Sequence, residues 1–304
     1  MRSFITGIDG FIGSWLAETL RAAGDEVFGL SRGREGIEGG VVRFRGDLSA
    51  VAPLAAALAS ARPERLFHLA AQNNIQDSFD DPAATIAANV IGSIHLLEAL
   101  KQTASNACFI SVGSSAEYGQ TAATAPVLSE DLPLLPTSPY GISKVSQGLL
   151  SRVSANVHGL RSIHVRPFAV VGPRKTRDAI SDFCRNVVAI ERGETDRFAV
   201  GHLGSERDFV DVRDCVAALI LVSEAGTAGG IYNICNGRTA TLQTVVTLLQ
   251  GLAAKPFTPV QDPSRLRPAD DRRIVGDGSR LRALGYAPRF SLEETLQDTL
   301  AYWR

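Results

Sequence analysis

Short runs of β-branched and aromatic residues alternate with helical stretches through the first two-thirds of the chain. Residues 3–6, 26–30, 41–44, 65–69, 107–112 and 162–165 read as strands. Between them, residues 11–22, 51–61, 82–102 and 140–157 carry apolar positions at helical spacing. Strands that are nearly continuous apolar runs, with helices between them, predict a parallel sheet covered on both faces. The expected fold is therefore α/β, a doubly wound parallel sheet over residues 1–168. After Gly172 the pattern changes: a polar, Arg-rich segment, PRKTRDAISDFCRNVVAIERGE, precedes a short extended piece, RFAVG. RDFVDVRDCVAALILV enters another helix, and GIYNICNG reads as a strand and turn. Parts of 207–237 are expected to return to the main sheet. Residues 169–206 and 238–304 are expected to form a smaller C-terminal lobe, with the ligand crevice between the two.

Composition narrows the function classes. With 31 basic against 32 acidic side chains, the formal charge is −1, which disfavours nucleic acid and acidic membrane surfaces as partners. Only four lysines occur, at 101, 144, 175 and 255, so anion recognition falls mainly to arginine forks. Cys108, Cys184, Cys215 and Cys235 form no CxxC pair, and the five histidines no HExxH pair. Reduced, buried thiols and no metal centre are expected. No signal peptide is seen before RSFITG and no apolar run of spanning length, so a soluble, cytoplasmic protein is expected.

The stretch ITGIDGFIG follows the first strand and opens the first helix. Gly7, Gly10 and Gly13 have the spacing of a tight turn that lets a pyrophosphate approach backbone at a helix N-terminus, with Phe11 and Ile12 between them. This makes the sheet Rossmann-type. The end of the second strand should select the cofactor: a carboxylate there suits NAD, an arginine the 2′-phosphate of NADP. The sequence reads GLSRGR, with Ser31 and Arg32 and no carboxylate. NADP(H) is therefore preferred, with NAD(H) as the alternative; the other reading of Arg32 is a solvated loop residue or one that stacks on adenine. Asp47 and Leu48, in RGDL, are placed to flank the adenine.

SPYGISK sets Tyr140 four residues before Lys144, one helical turn apart on one face. The glycine spacing, this pair and GSSAEYG before it resemble the extended short-chain dehydrogenase/reductase family, as do HLAAQ, NVIGS, RPFAVVGP and RDFVDVRD. Essentially the whole chain takes part. Within the family the chain is most similar to the GDP-sugar branch, through HLAAQNNIQDSFDDP, YNICNG and DPSRLRPADDRRIVGD. The resemblance implies a dinucleotide under the N-terminal domain, a nucleotide sugar beneath the C-terminal lobe, and a homodimer formed through helices 82–102 and 140–157. It implies Tyr140 as acid/base, Lys144 on the nicotinamide ribose and lowering the tyrosine pKa, and Ser114 holding the reacting oxygen. It also implies Ala70, Ala71, Gln72 and Asn89 at the cofactor, although Asn89 reads equally as a buried structural amide. Ser115, Arg207, Arg267 and Asp270 are implied at the substrate; surface ion pairs are the other reading of the arginine-rich tail.

Members of this family differ in the steps after hydride transfer. Dehydratases similar to this chain carry an acid three residues before the glycine of YG, where this chain has Ala116. Glu117 lies one residue along and, on an extended backbone, is expected to point the other way. The subset retained is that of a ketoreductase. The resemblance thus implies NADPH-dependent reduction of a nucleotide-linked 4-keto-6-deoxyhexose, with GDP-4-keto-6-deoxy-D-mannose giving GDP-D-rhamnose as the leading case. An NAD-dependent 4-epimerase, a 4,6-dehydratase and an NADP-binding regulatory protein are the alternatives. Ala169, where the family often has Asn after RPF, removes one polar contact to the substrate.

Overall fold

The computed structural model describes residues 1–104, 106–265 and 273–304. Its main sheet has eight strands among the described residues. In chain order these are β1 (Arg2–Thr6), β2 (Glu26–Ser31), β3 (Gly36–Glu38), β4 (Val41–Arg45), β5 (Arg65–His68), β6 (Cys108–Val112), β7 (Ser162–Pro167) and Ile231–Ile234. Across the sheet the order is Ile231–Ile234, β7, β6, β5, β1, β2, β4, β3; every pairing is parallel except β3 with β4. From β1 the chain winds first toward β2 and later returns to β5 on the other side. The loops after β1 and β5 therefore face each other at the point where a doubly wound sheet binds its ligand.

Strands β1, β5, β6 and β7 are almost wholly buried, as their apolar runs demand. Helices α1 (Phe11–Ala22) and α2 (Val51–Ala61) bury Leu16 and Leu20, and Leu54 and Leu58. The helical run 82–103 is not the uninterrupted helix its periodicity predicts. An α turn (Pro82–Ile86) and a long α-helix (Gly92–Thr103) flank a π turn at Ala87–Ile91. This run, Pro82–Thr103, is long and apolar enough to cross a membrane, with a mean hydropathy of 1.4, contrary to expectation. It packs instead as a layer against α2 and the helix Pro139–His158. Thr85, Asn89 and Ser93 are buried along it.

The C-terminal lobe has its own core of Phe183, Val187, Phe198, Val245, Leu249, Leu296 and Leu300. Phe198 and Phe257 stack there with ring centroids 4.3 Å apart. The helix Val212–Ala225 and the strand Ile231–Ile234 belong to the core packed on the main sheet, with Ile5, Phe67 and Ile110, through Val212, Cys215, Leu219, Val222 and Ile234. Leu281 and Tyr286 join it too, so 238–304 is not confined to the smaller lobe as the sequence pattern suggested. Leu281 and Tyr286 share that cluster with Ile234 and Cys235.

Candidate active site

The glycine loop is built for close approach. Gly7 has a φ of +72°, and a Cβ there would lie 2.8 Å from the Ala70 backbone nitrogen. A Cβ on Gly13 would fall 2.2 Å from the Gly7 carbonyl oxygen. Gly10 N–H donates to the same carbonyl at 3.0 Å, and Gly10 caps α1 without a side-chain hydrogen bond. The first amide groups of α1, beginning at Phe11 and Ile12, are thus left for an anion. Across the switch point, Ala70 N–H donates to Thr6 Oγ1 at 3.2 Å. Ala71 and Gln72 continue that loop, and Gln72 Oε1 is buried without a partner.

Asn89 sits in the π turn, and its amide is fully engaged. It accepts from Gln72 N–H at 2.7 Å and donates to Gln72 O and to Ser143 Oγ, both at 2.9 Å. These contacts fit the reading of Asn89 as a buried structural amide: the extra residue of the π turn lets it tie the loop after β5 to the Tyr140 helix. Leu48 lies against Gly92, where a Cβ would come within 2.7 Å of the leucine Cβ, and its carbonyl meets His95 Nδ1 at 2.8 Å. Hydrogen bonds from Ser49 hold the Asp47 carboxyl below the usual range. Beside it an open cleft of about 350 Å³ is lined by Arg32, Arg45, Asp47, Ser49 and Pro53. Arg32 is exposed there, and Arg45, not singled out from the sequence, stands across from it.

The end of β2 does meet a carboxylate, contrary to expectation. It comes from the glycine loop: Ser31 Oγ donates to Asp9 Oδ2 at 2.5 Å, and Arg43 Nε to Asp9 Oδ1 at 3.1 Å. The two segments are 22 residues apart, so only the fold brings them together.

Tyr140 and Lys144 occupy the first two turns of Pro139–His158, which Ser138 caps through Gly141 N–H at 3.0 Å. The Ser114 side chain lies near enough to the Tyr140 phenol to act on its titration. Ser114 in turn caps a 3₁₀ turn, Ser115–Glu117, accepting from Ala116 N–H at 3.1 Å, with Ser115 next to it. Burial pushes the phenol up to about 12, the Ser114 side chain opposing and the Glu117 charge adding. Burial pushes the Lys144 ammonium down to about 8, against the pull of Glu117. The ammonium donates to Val112 O at 2.9 Å and Gln147 Oε1 at 2.7 Å, and lies 5.8 Å from the Tyr140 ring centroid. The phenol stands above its ordinary value because burial outweighs the Ser114 side chain.

Glu117 is fully buried and cannot act on a substrate. Its carboxylate accepts from Arg166 Nε at 2.8 Å, Ser114 N–H at 2.9 Å, and contacts His164 Nε2 at 3.0 Å. The backbone at Ala116 and Glu117 is a 3₁₀ turn rather than the extended segment expected; the Ser114–Glu117 capping box imposes it. Glycine is required at 113, where a Cβ would fall 2.0 Å from Glu117 Oε1.

On the substrate side Arg207 is half-buried on a short strand, Glu206–Arg207. The adjacent Asp208 is held by amide groups of Asn236, Gly237 and Gly276. Arg267 and Asp270 lie outside the described residues. A second cleft, about 540 Å³, gathers Arg185, Arg197 and Arg265 with Asp182 and Asp262 in the smaller lobe.

The family profile described as GDP-mannose 4,6 dehydratase matches residues 4–299. The chain belongs to this family. It is 32% identical to a GDP-6-deoxy-D-mannose reductase of Pseudomonas aeruginosa over 99% of this chain and 97% of that protein. A UDP-glucose 4-epimerase of Mycolicibacterium smegmatis is 31% identical over 100% of this chain and 99% of its own. Among solved structures, RMD from Pseudomonas aeruginosa complexed with NADPH superposes with a TM-score of 0.85 at 29% identity, covering 100% of this chain and 99% of that one. UDP-glucose 4-epimerase from Thermotoga maritima with UDP-glucose gives 0.90 at 28%, covering 100% and 98%. This family membership agrees with the extended short-chain dehydrogenase/reductase resemblance and the doubly wound fold.

Proposed function

We propose that this chain is an NADPH-dependent reductase of a nucleotide-linked 4-keto-6-deoxyhexose, with GDP-4-keto-6-deoxy-D-mannose reduced to GDP-D-rhamnose. One observation carries the choice of reaction. Tyr140 stands beside the Ser114 side chain, while position 116 is alanine and the neighbouring Glu117 is locked between His164 and Arg166. That set can protonate an oxygen but has no free carboxylate there for eliminating water. The reductase name of the Pseudomonas relative, and the NADPH complexed with the matching Pseudomonas structure, support the same reading.

The glycine cradle and the orphaned Gln72 Oε1 fit a dinucleotide, which supplies the hydride when bound. Gly7, Gly10 and Gly13 with the α1 amides would hold its pyrophosphate, Asp47 and Leu48 its adenine, and Arg32 its 2′-phosphate. The protein's part in the chemistry is proton delivery. Ser114 orients the ketone oxygen; the Tyr140 O–H bond breaks, and its proton goes to that oxygen as the alcohol forms. The positive charge of Lys144 stabilises the phenolate left behind. A phenol at about 12 keeps its proton until an alkoxide, a stronger base, develops beside it.

Arg207 and Arg267 are assigned to the sugar-nucleotide diphosphate and Asp270 to its ribose, since arginine forks suit phosphate. The helix Pro139–His158 leaves Ile142, Leu149, Val153 and Val157 exposed, and Ile91 lies exposed on the neighbouring run. These apolar positions support a homodimer through the two helices, to be checked by sedimentation equilibrium. The four free, buried cysteines support a cytoplasmic setting.

The deciding experiment supplies GDP-4-keto-6-deoxy-D-mannose with NADPH or NADH, follows the loss of absorbance, and identifies the sugar; UDP- and dTDP-linked ketosugars are controls. GDP-D-rhamnose is expected. The carboxylate of Asp9 at Ser31 favours one second reading, an NAD-dependent 4-epimerase. Purified protein carrying bound NAD and showing no net NADPH consumption would establish that instead. Bound NADP without turnover of any ketosugar would point to a regulatory protein.

A further inference from the structure

The carboxylate that meets the end of β2 is already neutralised. Arg43, on β4, is only 13% exposed and Asp9 35%, so the cation is anchored while one edge of the acid faces solvent. Arg43 also donates from Nη1 to the Glu38 carbonyl at 3.3 Å and approaches Glu38 Oε2 at 3.8 Å. Glu38 is shared with Arg34 at 3.0 Å, so Arg43 is left chiefly to Asp9. The Ser31 hydroxyl is saturated: it donates to Asp9 and accepts from Gly33 and Arg34 N–H at 3.3 and 3.0 Å. It cannot turn away to bind a ribose hydroxyl without releasing the acid. Sheet register sets Arg45 directly across from Ser31, and Arg43 two residues earlier on the same face. The rim of the crevice therefore carries two carboxylates, Asp9 and Asp47, a mostly covered cation paired with Asp9, and two exposed arginines, Arg32 and Arg45.

We propose that Asp9 is the ribose-reading carboxylate of this chain and that Arg43 is the residue which masks it, so that a 2′-phosphated dinucleotide is accepted and preferred. This rests on the dinucleotide reading given above. An unmasked carboxylate at the end of β2 selects against a 2′-phosphate by charge repulsion and for a free ribose hydroxyl by hydrogen bonding. With Arg43 in place the remaining charges, Arg32 and Arg45 against Asp47, leave a net positive rim, and both dinucleotides can bind, the phosphated one more tightly. Arg43 is a specificity-determining residue acting through Asp9.

The test is a fluorescence titration of purified protein with NADPH and with NADH, in the absence of any sugar. Arg43→Gln is expected to weaken NADPH binding at least about tenfold and NADH binding less than about twofold, and Arg43→Gln with Asp9→Asn to recover NADPH affinity to within about threefold of wild type. Equal loss of both dinucleotides, or no recovery in the double variant, overturns the proposal. Should Arg43→Gln fail to fold in a thermal melt, Asp9→Asn alone decides. A rise of at least about fivefold in the NADPH-to-NADH affinity ratio is expected, and an unchanged ratio overturns the proposal. A wild-type protein binding neither dinucleotide would overturn the dinucleotide reading and this inference with it; tight binding with unmoved preference would overturn this inference alone.

Discussion

The Lys144 ammonium donates to the Gln147 amide oxygen at 2.7 Å, and the Gln147 amide nitrogen donates to Ser93 Oγ at the same distance. From Ser93 the chain of contacts runs to His68 Nε2 at 2.8 Å, and from His68 Nδ1 to Thr6 Oγ1 at 2.8 Å. The cation beside the Tyr140 phenol is thus held by a neutral relay that reaches the first strand. A buried hydrogen bond to a charged group contributes about 1.5–3 kcal/mol, which is about one to two pKa units. Gln147→Leu should therefore lower the Lys144 pKa further below about 8, moving the basic limb of the kcat profile to lower pH. Gln147→Glu should move it the other way. An unmoved limb in both variants, read from steady-state rates across pH 6–10, would show that the amide does not govern the ammonium.

Glu117 is predicted to be a structural acid, not a catalytic one. Burial alone would raise its pKa, but His164 and Arg166 hold the carboxyl below the usual glutamate value. Glu117→Gln leaves Arg166 buried against a neutral group and should cost about 3 kcal/mol or more in urea unfolding. Because the folded pKa is depressed, the stability contributed by Glu117 is present above its ordinary pKa and lost as pH falls through the folded value. No dehydratase product should form from GDP-mannose with either the wild type or this variant.

His68 gives a separate acid limb. Burial, with the Lys144 charge adding, pushes its imidazole down to about 3 from an ordinary 6.5. Between those values the unfolded chain binds a proton that the folded chain refuses. Its contribution is therefore complete above about 6.5 and is lost as pH falls toward 3. Urea midpoints measured at pH 7, 6 and 5 should decline, and His68→Gln should flatten that decline relative to its own value at pH 7.

The sequence made the sheet and the glycine turn legible because both rest on local signals: apolar runs of strand length and glycines at positions where a Cβ would strike backbone. Tyr140 and Lys144 were legible for the same reason, since helical spacing alone sets them on one face. What escaped was set by distant contacts. The π turn at Ala87–Ile91 exists where Asn89 reaches Gln72 and Ser143, and no periodicity announces it. The role of Glu117 depends on His164 and Arg166, 47 and 49 residues away. Asp9 could have been noticed inside the glycine loop, but its partner at Ser31 is visible only once β1 and β2 are paired. Gln147 left a faint local trace, three residues beyond Lys144 on the same helix face.

In the proposed reaction, reduction of the ketone turns on a proton leaving the Tyr140 oxygen. The most direct test is single-turnover NADPH oxidation by Tyr140→Phe with GDP-4-keto-6-deoxy-D-mannose, beside a titration of NADPH binding to the same variant. The rate should fall about 10²–10⁴-fold while NADPH affinity stays within about threefold of wild type. Oxidation at the wild-type rate would mean that the ketone receives its proton from another group.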